Sequence, residues 1–484
     1  MQRFCKFCLG LSIALLCCQY LVAQDSTVKK KNPINEEPET YVLTPEDKPF
    51  VVRNIIIEGN RKTRPEIIRR EISFRPGDKL LLQDLVKRFE FARRQLMNTS
   101  LFHEVTVALK SFDGYEVDVL VQVRERWYIF PVPYFKPIDR NLNQWLFEQN
   151  ASLSRVNYGA KVLWNNFSGR NDKLRVWAIL GYTKQFQFGY DRKYIDRKMK
   201  WGASVNFSTG NNKEVNYNTI GDKQVFIKNE GQHIRRFTSA SAQLTYRKAI
   251  KTIHRFGFGY NWENLADTVI RLNKDYFRDS SDRIHFPEFS YNMTYLDLDY
   301  VPYPTRGYAV DFTLNKKGIN KALNSWQASA QVSANWPVTK KSFVSLNFFG
   351  SIKLPFSQPY FNRRLLGYSD VFMQGYEYYV VDGVAGGYIK ASFTRKMINF
   401  NLKIPGTRKL APQRIPINIY GRVYGNAGYI YNPDQGNNRL ANQMLYSTGL
   451  GLDITSIYDF TLKIEWSFNQ LGQNGIFLHR KTMF

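Results

Sequence analysis

Residues 459–468 alternate strictly between polar and apolar side chains, and this pattern constrains the fold more than any other feature of the chain. Because successive side chains of a β-strand point to opposite faces, the segment predicts a strand with one wholly apolar and one wholly polar face. Similar alternation recurs at 174–182 and 308–314. The apolar positions of the first segment are Phe460, Leu462, Ile464, Trp466 and Phe468.

Residues 127–484 are interpreted as a succession of such strands, each about ten residues long and separated by turns. The connections alternate between short and long, which is how the strands of an outer-membrane barrel are joined. We therefore predict a mainly β fold with a C-terminal transmembrane antiparallel β-barrel of about 16 strands. The short connections include 167–172, 249–252 and 337–342, and the long ones include 210–233, 264–284, 354–383 and 431–443.

Residues 1–23 have the layout of a secretory signal peptide, with Arg3 and Lys6 ahead of an apolar core. All 4 cysteines lie within this segment, so the expected mature chain has no disulfide and no cysteine metal site. Residues 24–49 carry charge runs and little apolar surface, and we expect a disordered linker there. No later run of about 18 apolar residues exists, which excludes helical membrane spans.

Residues 50–126 are predicted to form a small α/β domain. A strand at 51–58 precedes a short helix, for which Thr63 and Glu66 have the spacing of a capping box. Asp78 is placed to cap a second helix, whose apolar residues recur at helical spacing. Two strands with alternating valines close the domain. This order, β-α-α-β-β, predicts two helices packed on one side of a three-stranded sheet.

This unit resembles a POTRA domain. The resemblance is carried by three segments: 74–78 (Phe-Arg-Pro-Gly-Asp), 101–105 (Leu-Phe-His-Glu-Val) and the valine-rich strand at 117–125. One such unit followed by a barrel is similar to the BamA/TamA family of outer-membrane assembly and translocation proteins, also described as bacterial surface antigens. The resemblance covers residues 50–484.

Two segments of the barrel region are also similar to this family. The sequence Tyr-Pro-Thr-Arg-Gly at 303–307 resembles the turn before the family's ninth strand, with Arg306 and Gly307 as its last two residues. Phe484 matches the aromatic signal at the end of the family's last strand.

A third similarity lies in the long 354–383 connection, where Gln374, Gly375 and Tyr376 stand at the family's Arg-Gly-Phe/Tyr motif. In the family, the loop arginine enters the barrel and pairs with acidic residues on the inner wall. Because Gln374 replaces it here, neutral and weaker hydrogen bonds would replace the ion pair. Tyr376 then either helps to fix the loop to the barrel wall, as in the family, or plugs a passive pore with its aromatic ring.

The resemblance implies a protein of the Gram-negative outer membrane whose POTRA unit lies in the periplasm. Unfolded or exported client proteins would bind the POTRA sheet by β-augmentation, and a weakly paired seam between the first and last strands would open to client strands. Outer-membrane lipids and periplasmic accessory proteins are the further partners that it implies. Two alternatives stay open: a passive or substrate-specific channel, and a structural surface antigen without a transport role.

The formal net charge of +27 fits a basic lumen and basic loops, or attraction to acidic lipid headgroups and steering of anionic partners. Export argues against a nucleic-acid partner. The sequence contains no phosphate-binding loop and no nucleophile motif, so we predict no enzyme activity, no catalytic residue and no cofactor. The 5 histidines lack the close spacing of metal ligands, and no metal site is predicted from them. They are His103, His233, His254, His285 and His479.

Overall fold

The structure is a computed structural model and describes residues 48–137, 150, 152–153, 156–229, 231–368, 371–403, 414–456 and 459–481. The predicted signal peptide, the predicted linker up to residue 47, and Phe484 lie outside the described residues.

The N-terminal unit (residues 50–126) has the predicted order of elements with one addition. A two-residue strand, β2, pairs with β1, so the sheet has four strands in the order β2-β1-β4-β3 and not the three predicted. Strands β1 and β4 are parallel, and both helices bury apolar side chains in the shared core. The bounds are β1 (Phe50–Glu58), α1 (Pro65–Arg70), β2 (Lys79–Leu80), α2 (Leu82–Asn98), β3 (Phe102–Asp113) and β4 (Glu116–Glu125).

The predicted helix caps are wrong in both places. Helix α1 begins after Arg64 and helix α2 after Leu81, and neither start has a side-chain cap. The Thr63 hydroxyl instead lies 3.0 Å from the Tyr128 hydroxyl, outside the helix. Asp78 accepts a hydrogen bond from a backbone N–H within its own turn. The Thr63 side chain, which the local spacing assigned to a helix cap, thus makes a tertiary hydrogen bond instead.

Among the described residues, the rest of the chain is dominated by a 16-stranded antiparallel sheet, which confirms the predicted strand number. Its strands are β5 (Ile129–Pro137), β6 (Val156–Asn165), β7 (Lys173–Gly181), β8 (Lys184–Arg192), β9 (Trp201–Asn212), β12 (Arg235–Tyr246), β13 (Thr252–Leu265), β14 (Arg283–Leu298), β15 (Gly307–Lys317), β16 (Ser325–Thr339), β17 (Ser342–Leu354), β20 (Ala385–Lys403), β21 (Arg414–Tyr431), β22 (Met444–Thr455), β23 (Thr461–Asn469) and β24 (Asn474–Lys481). Two hairpins lie in its long connections: β10 (Glu214–Ile220) with β11 (Lys223–Lys228), and β18 (Arg364–Leu366) with β19 (Val381–Asp382).

A short helix, α3 (Asp267–Leu272), and a 3₁₀ turn at Tyr360–Asn362 also lie in the long connections. The interpretation of residues 127–484 as strands separated by turns did not include these two elements, and neither is part of the sheet. Among the described residues, no helix is long and apolar enough to cross a membrane.

Burial on the sheet is the reverse of that in a soluble protein. On β23 the polar side chains of Thr461, Glu465 and Ser467 are buried, whereas Trp466 and Phe468 are exposed. Large apolar side chains are exposed in the same way on other strands, including Leu244, Phe256, Phe258, Phe289, Leu450 and Leu452. An outer surface of this kind is stable where the surroundings are apolar, as in the hydrocarbon region of a membrane.

The sheet curls on itself, because contacts across its interior join strands that are far apart in its order. Tyr303, in the turn before β15, donates a hydrogen bond of 2.9 Å to Asp453 on β22. The same ring lies 4.8 Å, centroid to centroid, from the ring of Tyr420 on β21. The interior is thus filled with side chains where the turn before β15 faces the strands near the C-terminus.

The N-terminal unit is bound to the end of the sheet where β5 begins. In the part of the chain that the structure describes, its contacts reach five of the turns at that end, from the β6–β7 turn to the β22–β23 turn, so the unit spans the opening. They are Arg64 with Gly169, Arg70 with Met199, Glu71 with Arg247, Asn98 with Val301, and Arg126 with Asp459.

One of these contacts is a buried ion pair between Glu71, which follows helix α1, and Arg247 in the β12–β13 turn. The two charges approach to 2.6 Å, and Tyr194 donates a further hydrogen bond of 2.9 Å to Glu71. Burial acts to raise the pKa of the Glu71 carboxyl, but Arg247 outweighs it, with help from Arg70 and Tyr194, and the net pKa lies below the ordinary value. Glu71 is therefore ionised at neutral pH.

Candidate functional site: the seam and the inner loop

The two edge strands of the 16-stranded sheet are β5 and β24, the first and the last. No backbone ladder joins them within the described residues, although every other pair of neighbouring strands is joined by one. We call the line between these two edges the seam. The seam is where backbone N–H and C=O groups are available to another strand.

The phase of the β5–β6 ladder fixes which residues of β5 face the seam. Asn165 donates a backbone hydrogen bond of 2.8 Å to Tyr128, just before the first ladder pair of Ile129 with Trp164. Hydrogen-bonded pairs alternate with non-bonded pairs in an antiparallel ladder, so the even-numbered residues of β5 bond to β6. The odd-numbered residues direct their backbone groups to the seam. They are Ile129, Pro131, Pro133, Phe135 and Pro137.

Three of these five seam-facing residues are prolines, which have no backbone N–H. The edge of β5 therefore has no backbone donor at Pro131, Pro133 or Pro137. Proline is tolerated in a sheet at an edge where its missing donor faces away from the ladder, which is the arrangement here. A strand placed against β5 would find few donors.

The same reasoning applied to β24 gives the opposite result. Asn469 donates a backbone hydrogen bond of 3.0 Å to Gln473, so the odd-numbered residues of β24 bond to β23. The even-numbered residues face the seam, and each of them has both N–H and C=O groups. They are Asn474, Ile476, Leu478 and Arg480.

Inside the barrel, next to β24, lies a segment that we call the inner loop (residues 371–379). It contains the predicted motif as a tight turn, in which the Tyr376 N–H donates 3.1 Å to the Met373 carbonyl. Gly375 has a φ of +86°, which glycine adopts without strain. A Cβ atom at Gly375 would lie 3.1 Å from the Ser447 Cβ on β22, so the turn is pressed against the wall.

The motif residues contribute unequally to holding this turn. Asn469 donates a hydrogen bond of 2.7 Å to the Gly375 carbonyl, and the Tyr376 hydroxyl donates 3.1 Å to the Tyr446 carbonyl. Gln374 is also buried, but its side-chain carbonyl oxygen has no hydrogen-bond partner among the described residues. Gly375 and Tyr376 therefore anchor the loop, and the predicted neutral hydrogen bonds of Gln374 are not made by this oxygen.

An arginine is nevertheless present beside acidic residues on the inner wall. Arg422 on β21 lies 3.2 Å from Asp453 on β22 and forms an ion pair with Glu465 on β23. All three side chains are almost completely buried. The cation beside these acidic residues is thus Arg422 of the barrel wall. The resemblance implied a loop arginine, at the position that Gln374 occupies here.

The predicted turn at 303–307 lies before the ninth strand of the sheet, β15. The N–H of Arg306 donates a hydrogen bond of 3.2 Å to the side chain of Asp299, and the Arg306 carbonyl accepts one of 3.1 Å from the Asp299 N–H. Gly307 opens the strand with a φ of +108°. A Cβ atom there would lie 2.0 Å from the Asp297 carbonyl oxygen, so only glycine fits.

The inner loop also contacts β24 directly, a relationship that no sequence spacing indicated. The ring of Phe372 stacks on the imidazole of His479, with centroids 4.8 Å apart. Glu377 lies 3.3 Å from the same imidazole, and Tyr378 packs on Phe477 with centroids 5.3 Å apart. The inner loop therefore packs on the inward face of β24, which is one of the two strands at the seam.

A barrel with an apolar outer face, an inner loop against its last strand and an α/β unit at its mouth defines an outer-membrane protein of the protein-assembly and translocation class. The sequence profile of the Omp85 superfamily domain matches residues 166–468, which is more than half of the chain. The profile described as a surface antigen variable number repeat, POTRA, matches residues 50–126. The chain belongs to the Omp85 superfamily, lies in the outer membrane and has its POTRA unit in the periplasm.

Several solved structures are similar to this chain at low sequence identity. BamA from Haemophilus ducreyi lacking POTRA domains 1–3 has a TM-score of 0.48 and 16% identity, covering 89% of this chain and 83% of that one. CdiB from Escherichia coli has a TM-score of 0.49 and 11% identity, covering 93% and 91%. CdiB from Acinetobacter baumannii has a TM-score of 0.44 and 14% identity, covering 89% and 72%. No curated protein matches the sequence significantly.

Proposed function

We propose that this protein inserts client β-strands into the outer membrane at its seam, with β24 as the edge on which they pair. The observation that carries the proposal is the difference between the two edges. Every seam-facing residue of β24 has a backbone N–H, whereas three of the five on β5 are prolines. In lipid every backbone polar group needs a partner, so an incoming strand is stabilised by an edge that offers both donors and acceptors.

The POTRA unit would bind clients before they reach the seam. Its sheet ends on one side at β2, which has two residues, and on the other at β3, which has 12. An extended client segment that pairs by β-augmentation needs a long edge, and β3 is the longer of the two. The client would then pass from one strand edge to another without leaving its backbone unpaired.

The described residues favour this role over that of a passive channel. The POTRA unit is bound across the periplasmic opening, and the inner loop and the 303–307 turn fill part of the interior. A channel for small solutes needs a continuous water-filled path, as in porins. The contacts at the periplasmic opening would have to break before such a path could form.

The function is tested with purified protein in liposomes and a urea-denatured outer-membrane barrel as client. We expect the protein to raise the rate of client folding above that in empty liposomes. Leu478→Pro removes one seam-facing donor from β24 and should abolish most of the acceleration, whereas the matched control Leu478→Thr keeps the donor and should retain it. Equal rates with and without wild-type protein would contradict the function. Equal rates for the two variants would contradict only the choice of β24.

A further inference from the structure

Three side chains with metal-binding groups meet beside the inner loop, although they are far apart in sequence. They are Glu377 of the inner loop, Glu465 of β23 and His479 of β24. The Nε2 atom of His479 lies 3.3 Å from a carboxylate oxygen of Glu377 and 3.2 Å from one of Glu465. One ligand atom from each residue lies within 4.8 Å of the other two.

The two distances from His479 match the edges of a tetrahedral zinc site. Zinc binds histidine nitrogen and carboxylate oxygen at about 2.0–2.2 Å, and two such bonds at a tetrahedral angle place their ligand atoms about 3.3 Å apart. Both distances from His479 fall at this value. One histidine with two glutamates leaves a fourth position for water, and an imidazole ligand favours zinc over magnesium or calcium.

Independent of these distances, buried oxygen atoms in the cluster lack partners. Glu465 is 1% exposed, and its Oε2 atom has no hydrogen-bond partner among the described residues, although the Nε2 atom of His479 lies 3.2 Å away. The Oε2 atom of Glu377 is likewise buried without a hydrogen-bond partner. A buried carboxylate oxygen without a donor is costly, and a bound cation removes that cost.

We propose that Glu377, Glu465 and His479 bind a divalent transition-metal ion of the zinc type, which fixes the inner loop to β23 and β24. Two neighbours hold the ligands in place: Arg422 pairs with the other oxygen of Glu465, and Phe372 stacks on the His479 ring. Ordering of ligands by such neighbours is typical of metal sites. The site does not depend on the proposed insertase function.

The site is tested on the mature protein purified in detergent with a tag that contains no histidine. After removal of metals with a chelator, zinc binding is measured by calorimetry, and the bound metal is counted by mass spectrometry after gel filtration. We expect one zinc ion per chain, and a loss of affinity of about tenfold or more in both Glu377→Gln and His479→Gln. A large excess of magnesium or calcium should leave the bound zinc in place.

The matched control is His285→Gln, because His285 lies on β14 and its partner is Tyr260. This variant should bind zinc as the wild type does. The folded state of every variant is checked by its heat-modifiable migration on gels. Absence of zinc from the chelated and re-titrated wild type would overturn the proposal, as would equal zinc affinity in the His479→Gln and His285→Gln variants.

A second measurement reports on the loop itself. Tyr378 is 70% exposed and is the next residue after Glu377, so chymotrypsin has a cleavage site there. Zinc should slow this cleavage in the wild type and leave it unchanged in His479→Gln. Cleavage at the same rate with and without zinc in the wild type would show that the ion does not hold the loop.

Discussion

Arg126 and Asp459 form a buried ion pair, 2.7 Å long, that joins the segment leading into β5 to the turn leading into β23. The pair spans the periplasmic end of the seam, where β5 and β24 lack a ladder within the described residues. Arg126 also donates a hydrogen bond of 2.7 Å to the Phe102 carbonyl of the POTRA unit. One arginine thus connects the POTRA unit, the first barrel strand and the last hairpin.

Loss of this arginine should destabilise the closed protein strongly. Arg126→Ala would leave the carboxylate of Asp459, which is 2% exposed, without its cation. Removal of one partner from a buried ion pair costs about 3–5 kcal/mol. The free energy of unfolding is measured by urea titration of the protein in liposomes.

The control for this variant is Arg124→Ala. Arg124 is 64% exposed and lies 3.8 Å from an equally exposed Glu104, and such a surface pair contributes about 0–1 kcal/mol. Similar losses of stability in the two variants would show that burial of the Arg126–Asp459 pair has no energetic consequence.

Attachment of the POTRA unit should weaken in acid because of Glu71. The pKa of Glu71 is lower in the folded protein than its ordinary value of 4.5, so its contribution is complete above pH 4.5. That contribution is lost as the pH falls through the lowered pKa of the folded state. Release of the POTRA unit, followed by its sensitivity to protease, should therefore increase below pH 4.5.

Glu71→Gln provides the test of this assignment, since it cannot ionise. This variant should show increased protease sensitivity already at neutral pH and a smaller change on acidification. Glu66→Gln, at the exposed start of α1, should behave like the wild type. An unchanged acid response in Glu71→Gln would assign the pH dependence to another group.

Restoring donors to β5 should close the seam. Pro131→Val with Pro133→Val returns two seam-facing N–H groups, and each hydrogen bond formed with β24 would contribute about 0.5–1.5 kcal/mol. Amide hydrogen exchange in β24 should become slower and client folding should become less efficient. Val132→Thr changes a residue whose backbone faces β6, and it should alter neither measurement. Faster client folding in the double variant would contradict the pairing of clients with β24.

Transfer of the positive charge from Arg422 on the wall to residue 374 of the inner loop should be tolerated. Arg422→Gln removes the guanidinium from between the buried carboxylates of Asp453 and Glu465 and should cost about 3–5 kcal/mol in the free energy of unfolding. Adding Gln374→Arg to this variant should recover part of the loss, because it restores an arginine at the position that the family motif uses. The exposed Arg395→Gln on β20 is the control and should change stability little. A double variant no more stable than Arg422→Gln would show that residue 374 does not reach the wall.

The strands were predictable because their signal is local. Alternation in 459–468 depends only on the geometry of one strand, and the inward burial of Thr461, Glu465 and Ser467 confirms it. Glycine at 307 likewise has a local reason, since a carbonyl oxygen occupies the space where a Cβ would lie. Such features need no knowledge of distant contacts.

The site was less predictable because its residues meet only after the sheet has curled. Glu377 and His479 are about a hundred positions apart, and no spacing rule joins them. The prolines of β5 are visible in the sequence. Whether they face the seam depends on which residues of β5 bond to β6, and the sequence of β5 alone does not show this. Thr63 failed as a cap for a similar reason, since Tyr128 and Asn166 compete for its hydroxyl.

The prolines of β5 also bear on how an opened barrel survives in lipid. When the two edge strands part, each unpaired backbone donor or acceptor that faces hydrocarbon costs several kcal/mol. At three of the five seam-facing positions of β5 the residue is proline, so no backbone donor is exposed there. The missing N–H groups therefore lower the energy of the parted state without strengthening the closed one, and they shift the equilibrium between the two towards the parted state.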